Sequence, residues 1–391
     1  MMCVAASLNG WSTHILIATG EKMGKLNYEE LMGELYGTVG LHSFCFFAGI
    51  LAFGAMSVYL IIIGDTIPKV LLAANVTAGP FTDRATVIVF FGILFVLPVS
   101  LLKDLSKLAY TSLISVCAVG LLTCIVVFAG PGVDSPNVEV DRSELLTFVR
   151  PTLFAGFGAM SFAFVCQQSS FLVYRSMRQG GVRRWAGVTR WSLSIAWAMS
   201  LVISVSGYLI FGTETEGNVL NNFPTDDVPA SVARGLLAVT MIFTYPIEMY
   251  VARHVFDVSA FQTSLGMGPI TSKRHYAITL AIWALTMTVA CSTDDLGFVL
   301  DIFGALSSTV MGYILPALMH IRCNREDMRR AKAAWQRGAP EYNSSFCGRL
   351  WALRHFYFPV FVVVFGVIAL VAGVATSIWF EVTTLTTSGS V

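Results

Sequence analysis

Charge is what this sequence has least of. Of its 391 residues, 25 are Lys or Arg and 24 are Asp or Glu, 13% in all, while 55% are hydrophobic. An average soluble domain carries about 25% charged residues. So few charges cannot coat several soluble cores, which excludes a soluble multidomain enzyme and makes a polytopic membrane protein the expectation. Paired cysteines are missing too. The eight cysteines (Cys3, Cys45, Cys117, Cys124, Cys166, Cys291, Cys323 and Cys347) fall in apolar stretches or basic loops. None is paired with another in an acidic loop, and none shows metal-ligand spacing. Residues 1–20 have neither the basic head nor the cleavage site of a signal peptide. Catalytic motifs are absent: no HExxH, no GxSxG, no GxxxxGK[ST], no clustered carboxylates.

What is there is a succession of long apolar runs bounded by charge. A bilayer core needs about 20 helical residues per crossing. The runs at 2–19, 43–66, 85–102, 110–129, 152–176, 191–211, 231–252, 275–291, 298–320 and 357–380 meet that need. They read as helices because lipid offers no partner to unpaired backbone groups. No soluble domain fits between them, so residues 1–391 form one transmembrane domain.

Orientation follows from the loops. One alternate set (20–42, 103–109, 175–190, 253–274 and 321–356) holds 20 of the 25 Lys and Arg residues. The other set holds Lys69, Arg84, Arg142, Arg150 and Arg234 and is otherwise acidic, with Asp134, Glu139, Asp141, Glu144, Glu214, Glu216, Asp226 and Asp227. The basic set is cytoplasmic by the positive-inside rule. The Arg-rich loops at 178–190 and 322–337 thus reflect topology, and nucleic-acid binding is not expected. Ten helices in this orientation place both termini outside. The expectation is that the chain as given lacks a first transmembrane helix; alternatively its first run inserts with a short uncharged head outside.

Polar residues inside such runs are costly and point to function. The run at 152–176 carries Gly156, Gly158, Ala159 and Ser161, then Gln167, Gln168, Ser169 and Ser170. Two readings stand: an interrupted helix exposing backbone to a substrate, or a small-residue packing seam with polar residues near its cytoplasmic end. In the run at 231–252, Pro246 removes a backbone donor beside Thr244. That offers oxygen ligands for Na+; a proline kink with Thr240 and Thr244 bonded back to the helix is the plainer account. Glu248 could carry a proton or pair with Arg253 or another helix; lying within a turn of the cytoplasmic boundary, it reads as structural. Asp301, Gly304, Ala305, Ser307, Ser308, Thr309 and Gly312 form a small-polar face, a seam or a lining. His14 and His320 read as interfacial residues. Asn75-Val76-Thr77 is a glycosylation acceptor on the outer side, and Asn343-Ser344-Ser345 lies in a cytoplasmic loop.

Five segments, in order across nearly the whole chain, carry a resemblance. They are Phe53-Gly54-Ala55-Met56-Ser57-Val58-Tyr59-Leu60; Ser161-Phe162-Ala163-Phe164-Val165-Cys166 with Phe171-Leu172-Val173-Tyr174; Ser206-Gly207-Tyr208-Leu209-Ile210-Phe211-Gly212 with Asn218-Val219-Leu220; Thr244-Tyr245-Pro246-Ile247-Glu248; and Phe303-Gly304-Ala305-Leu306-Ser307 with Ile314-Leu315-Pro316-Ala317-Leu318. They resemble helices three, six, seven, eight and ten of the amino acid/auxin permease family, and within it the sodium-coupled neutral amino acid transporters. The resemblance implies an all-α bundle of eleven helices with a five-plus-five inverted repeat and substrate held between broken helices one and six. The ten runs here correspond to helices two to eleven. The loop at 130–150 has no cysteine, so a disulfide found in some relatives has no counterpart there.

By the same resemblance, Gly158, Ser161, Phe162 and Phe164 face the substrate, with Ser161 and Phe162 central, and Thr244 helps to ligate Na+, the coupling ion if sodium drives the cycle. No resident cofactor or metal is implied. The function expected is secondary active transport of amino acids by alternating access, coupled to Na+ or H+, in a plasma or vacuolar/lysosomal membrane. A non-transporting nutrient sensor or scaffold of the same fold is the alternative. A channel is disfavoured, because no helix offers a repeated polar face.

Overall fold

The computed structural model describes residues 1–76, 83–102, 109–132, 153–177, 180–212, 215–261, 271–293, 295–327, 329 and 357–388. Among them the regular structure is helical and no strand occurs. In chain order the helices are α1 (Met2–Met23), α2 (Tyr28–Ala73), α3 (Arg84–Ser100), α4 (Ala109–Ala129), α5 (Leu153–Phe164), α6 (Gln167–Ser176), α7 (Val182–Phe211), α8 (Val228–Phe261), α9 (Ser272–Ser292), α10 (Leu296–Cys323) and α11 (Phe358–Ser388). The loops at 103–108, 262–270 and 330–356, the acidic stretch 133–152, Asn343-Ser344-Ser345, Cys347 and Thr77 lie outside the described residues. Asn75 itself is exposed, in the left-handed conformation (φ 60°) that asparagine tolerates after a helix end.

Six helices among the described residues, α2 and α7 to α11, are long and apolar enough to cross a membrane. Helix α7 shows the reason physically. Trp191, Ile195, Val202, Val205 and Leu209 are exposed at three-, four- or seven-residue steps, so they form one stripe along the helix. In water such a stripe is an association hazard; in hydrocarbon it is the correct surface.

The chain divides into two compact units. The first comprises Met1–Ala48, Pro151–Ala196 and Asp301–Val391, and the second Gly49–Arg150 and Trp197–Leu300. In the first, α1 packs on α5, α6 and the Leu315–Cys323 end of α10, while α11 packs on α5 and α10. Helix α10 is not a regular α-helix here: Gly304–Ser308 and Val310–Ile314 are π-helical turns. Its crossing with α5 is set by two glycines. A Cβ on Gly158 would lie 2.8 Å from the Ala305 amide nitrogen, and one on Gly304 would meet the Gly158 carbonyl oxygen. Only bare backbone fits at that approach.

In the second unit α4 packs along α8. A cluster of Leu122, Val126, Phe211, Leu220, Phe223, Ala230 and Ala233 fills one end. The fully buried Arg234 closes that end by donating to the carbonyls of Leu220 (2.8 Å), Phe223 (2.7 Å) and Pro224 (3.1 Å). Three carbonyls thereby neutralise much of the cost of burying the guanidinium. Asp65 pairs with Arg84 at 3.0 Å, and Asp257 with Arg274 at 2.8 Å. Asp83 caps α3, its carboxylate accepting from the Thr86 amide and hydroxyl, both at 2.8 Å. Those bonds hold the Asp83 carboxyl below the usual carboxylate range.

Candidate functional site

The first unit contains an interrupted helix. Helix α5 ends at Phe164, α6 begins at Gln167, and Cys166 between them leaves helical geometry at φ −141°, ψ 11°. A break within apolar surroundings exposes peptide groups that each cost about 1–3 kcal/mol if left without partners. The local sequence supplies the partners. The Gln167 side-chain carbonyl accepts from the Cys166 amide at 2.9 Å, and the Ser170 hydroxyl donates to the Cys166 carbonyl at 2.8 Å. The run of glutamine and serine therefore caps the break, rather than forming a solvated face. The interrupted helix is real, and it lies at Val165-Cys166 rather than among the glycines, which instead form the seam with α10.

From the break a polar network runs through the core. The Gln167 amide group donates to Asn9 Oδ1 at 2.9 Å, and it also reaches the Ser12 hydroxyl at 3.2 Å and the Gly312 carbonyl at 3.4 Å. Asn9 donates to the Tyr313 phenol at 2.9 Å, Tyr313 donates to the Ser161 hydroxyl at 3.0 Å, and Ser161 donates to the Phe157 carbonyl at 2.7 Å. Each hydroxyl in this chain both accepts and donates, so the bonds reinforce one another. Ser12 also donates to the Gly312 carbonyl, and Thr13 lies against the Cys166 sulfur. Asn9, Ser12, Ser161, Gln167 and Tyr313 are all at 0% exposure. The network joins α1, the broken α5–α6 pair and the π-helical part of α10, three places where backbone or side-chain polarity is held away from solvent.

The residues expected to face a substrate divide as follows. Ser161 is a member of the network. Gly158 is committed to the α10 crossing, Phe164 is buried at the end of α5, and Phe162 is partly buried. Thr244 belongs to the second unit, on α8, where its hydroxyl donates to the Thr240 carbonyl at 2.7 Å. The back-bonded geometry anticipated for a threonine beside a proline is thus present. Beside it the Tyr245 phenol meets the Thr286 hydroxyl at 2.7 Å. Arg253 does not lie in an ion pair with Glu248; it donates to the Ser100 carbonyl at 3.3 Å and the Thr279 hydroxyl at 3.0 Å. Among the described residues no group of three or more His, Cys, Asp or Glu is placed to hold a metal ion.

Sequence reasoning missed Asn9, Ser12, Thr13 and Tyr313. The signal was present for the first three. They occur at i, i+3 and i+4, one face of a helix, inside an otherwise apolar run. Tyr313 had no such signal, because its position depends on two π-helical turns.

Comparison with known proteins places this geometry in context. Residues 1–379 match the family model described as transmembrane amino acid transporter protein. The chain is 29% identical over 333 residues to the zebrafish (Danio rerio) protein named sodium-coupled neutral amino acid transporter 11, covering 83% of this chain and 72% of that one. The human protein of that name is 30% identical over 319 residues, covering 81% and 77%. Vacuolar amino acid transporter 2 of Saccharomyces cerevisiae is 28% identical over 343 residues, covering 85% and 70%. The chain belongs to the transmembrane amino acid transporter family, as an integral membrane protein whose relatives are transporters rather than enzymes.

Proposed function

We propose that this protein carries amino acids across a membrane by secondary active transport with alternating access, in symport with Na+ or H+. The ten apolar runs each cross the bilayer and correspond to helices two to eleven of the family's five-plus-five inverted-repeat fold. The observation that carries the reading is the interruption at Val165-Cys166 set within a fully buried polar network. An amino acid brings an ammonium and a carboxylate, and each must exchange water for fixed dipoles on entering a membrane. A helix break presents backbone amides and carbonyls in one place, and the adjoining hydroxyl and amide side chains can re-pair when a ligand arrives. Ser161 then lies at the substrate, with Gly158, Phe162 and Phe164 shaping the apolar wall. Thr244 contributes an oxygen to Na+ where sodium is the driving ion.

The names of the relatives support the substrate class and leave the ion open, one being called sodium-coupled and another vacuolar. The test is uptake of labelled amino acids by liposomes containing the purified chain, with inward gradients of Na+ and of H+ imposed separately. Accumulation under one of them is the expected result. Absence of both accumulation and exchange across a panel of amino acids would overturn the reading.

A further inference from the structure

Among the described residues, the second unit holds a carboxylate without a counter-ion. Glu248 lies on α8, two residues beyond Pro246, and its Oε2 is sealed from solvent with no hydrogen-bond partner. The neighbouring cations are engaged elsewhere. Arg253 is bound to Ser100 and Thr279, Arg274 to Asp257, Arg234 to three loop carbonyls, and Arg84 to Asp65. Helix α2 runs antiparallel beside α8: a Cβ on Gly49 would touch Val255 at 3.7 Å, and Lys69 donates to Asn221, just ahead of α8. Between those points α2 brings the phenol of Tyr59 within electrostatic range of Glu248.

The titratable and charged groups on the other helices packed against α8 are few. Helix α4 offers Cys117 and Cys124. Helix α9 offers Lys273, Arg274, His275, Tyr276 and Cys291, of which His275 is bonded to the Leu101 carbonyl at 3.2 Å. On α8 itself lie Arg234, Tyr245 (bonded to Thr286), Tyr250, Arg253, His254 and Asp257. None of these groups is bonded to Glu248.

Glu248 as a whole is partly buried, but a charge on its sealed Oε2, with neither a cation nor a donor beside it, is poorly tolerated in an apolar setting, and one proton removes it. We propose that Glu248 is a proton-binding site of the transport cycle, so that H+ is a coupling ion of this protein. The inference rests on the transport reading above. The carboxylate takes one proton from the outer solution and becomes the neutral acid. It gives the same proton to the inner solution after the conformational change, and no bond of the amino acid is altered. An intramembrane acid that alternates in this way links the substrate flux to the proton gradient.

The test uses the purified full chain in sodium-free liposomes loaded with a pH-sensitive dye. Two quantities are read: exchange of labelled amino acid without a gradient, and accumulation under an inward proton gradient of about one pH unit. One proton per substrate permits about tenfold accumulation from that gradient. The wild type is expected to exchange, to accumulate and to acidify the lumen when substrate is added. Glu248→Gln, a neutral isostere, is expected to keep exchange while losing accumulation and acidification. Glu248→Asp, which keeps the titratable group, is expected to retain both. The proposal is overturned if Glu248→Gln accumulates as the wild type does, if it loses exchange together with accumulation, or if a wild type that exchanges accumulates only on a sodium gradient. A wild type without any exchange overturns the transport reading instead, and this proposal with it.

Discussion

The broken α5–α6 pair and the continuous α8 treat buried polarity in opposite ways. At Val165-Cys166 the backbone is interrupted; Gln167 and Ser170 of α6 satisfy what the interruption exposes, and Gln167 is held in turn by Asn9 of α1 and the Gly312 carbonyl of α10. On α8 the helix runs on through Pro246, and a single carboxylate oxygen is left without a partner. The first arrangement fixes a geometry, and a ligand can enter it only by exchanging one set of hydrogen bonds for another. The second fixes no geometry and responds to a change of charge. Under the proposed function, recognition and coupling fall to different kinds of helix irregularity.

The contrast can be broken most severely at Gln167. Replacing it by leucine leaves the Cys166 amide and Asn9 Oδ1 unpaired at once, which costs about 3 kcal/mol or more. Thermal unfolding in detergent should show a large loss of stability, and amino acid exchange should disappear. Next in size is Gly304→Ala. Its methyl group meets the Gly158 carbonyl, and overpacking of this sort costs about 1–3 kcal/mol. The same unfolding assay reads it, and Gly304→Ser should be at least as damaging. Tyr313→Phe removes only the hydroxyl that links Asn9 to Ser161. A loss of about 1 kcal/mol is expected, together with weaker substrate affinity measured by concentration dependence of exchange.

Glu248→Gln should behave differently from all three. It removes a charge that has no partner, so the melting temperature should hold or rise. A fall as large as that of Gln167→Leu would erase the contrast between the two regions. The smallest effect belongs to Asp83→Ala at the start of α3, away from both. The Asp83 carboxyl is held below its ordinary range, so its contribution is present above the unfolded-state value and is lost as pH falls through the folded one. The melting difference between wild type and Asp83→Ala should therefore be small at neutral pH and should vanish in acid.

Much of this was legible in the sequence because lipid imposes simple rules. The apolar runs and the family followed from composition, charge and short ordered motifs. The polar row after Cys166 marked the right helix, since such residues are rare inside an apolar run. The position of the break was not legible: Gly158 is used against Gly304, a residue far along the chain, and nothing local to 152–176 reveals that partner. Tyr313 was hidden for a related reason, because π-helical turns rotate every later side chain relative to a regular helix. Glu248 was visible as a polar residue, but a basic residue five positions on made pairing the plain guess. Only the three-dimensional arrangement gives Arg253 to Ser100 and Thr279.

The central claim is that the network at the helix break receives the amino acid. It is tested most directly by exchange of labelled amino acid in liposomes containing wild-type protein or Ser161→Leu, each first shown to be folded by its melting transition. The wild type should exchange and Ser161→Leu should not. Equal exchange by the two folded proteins would contradict the account.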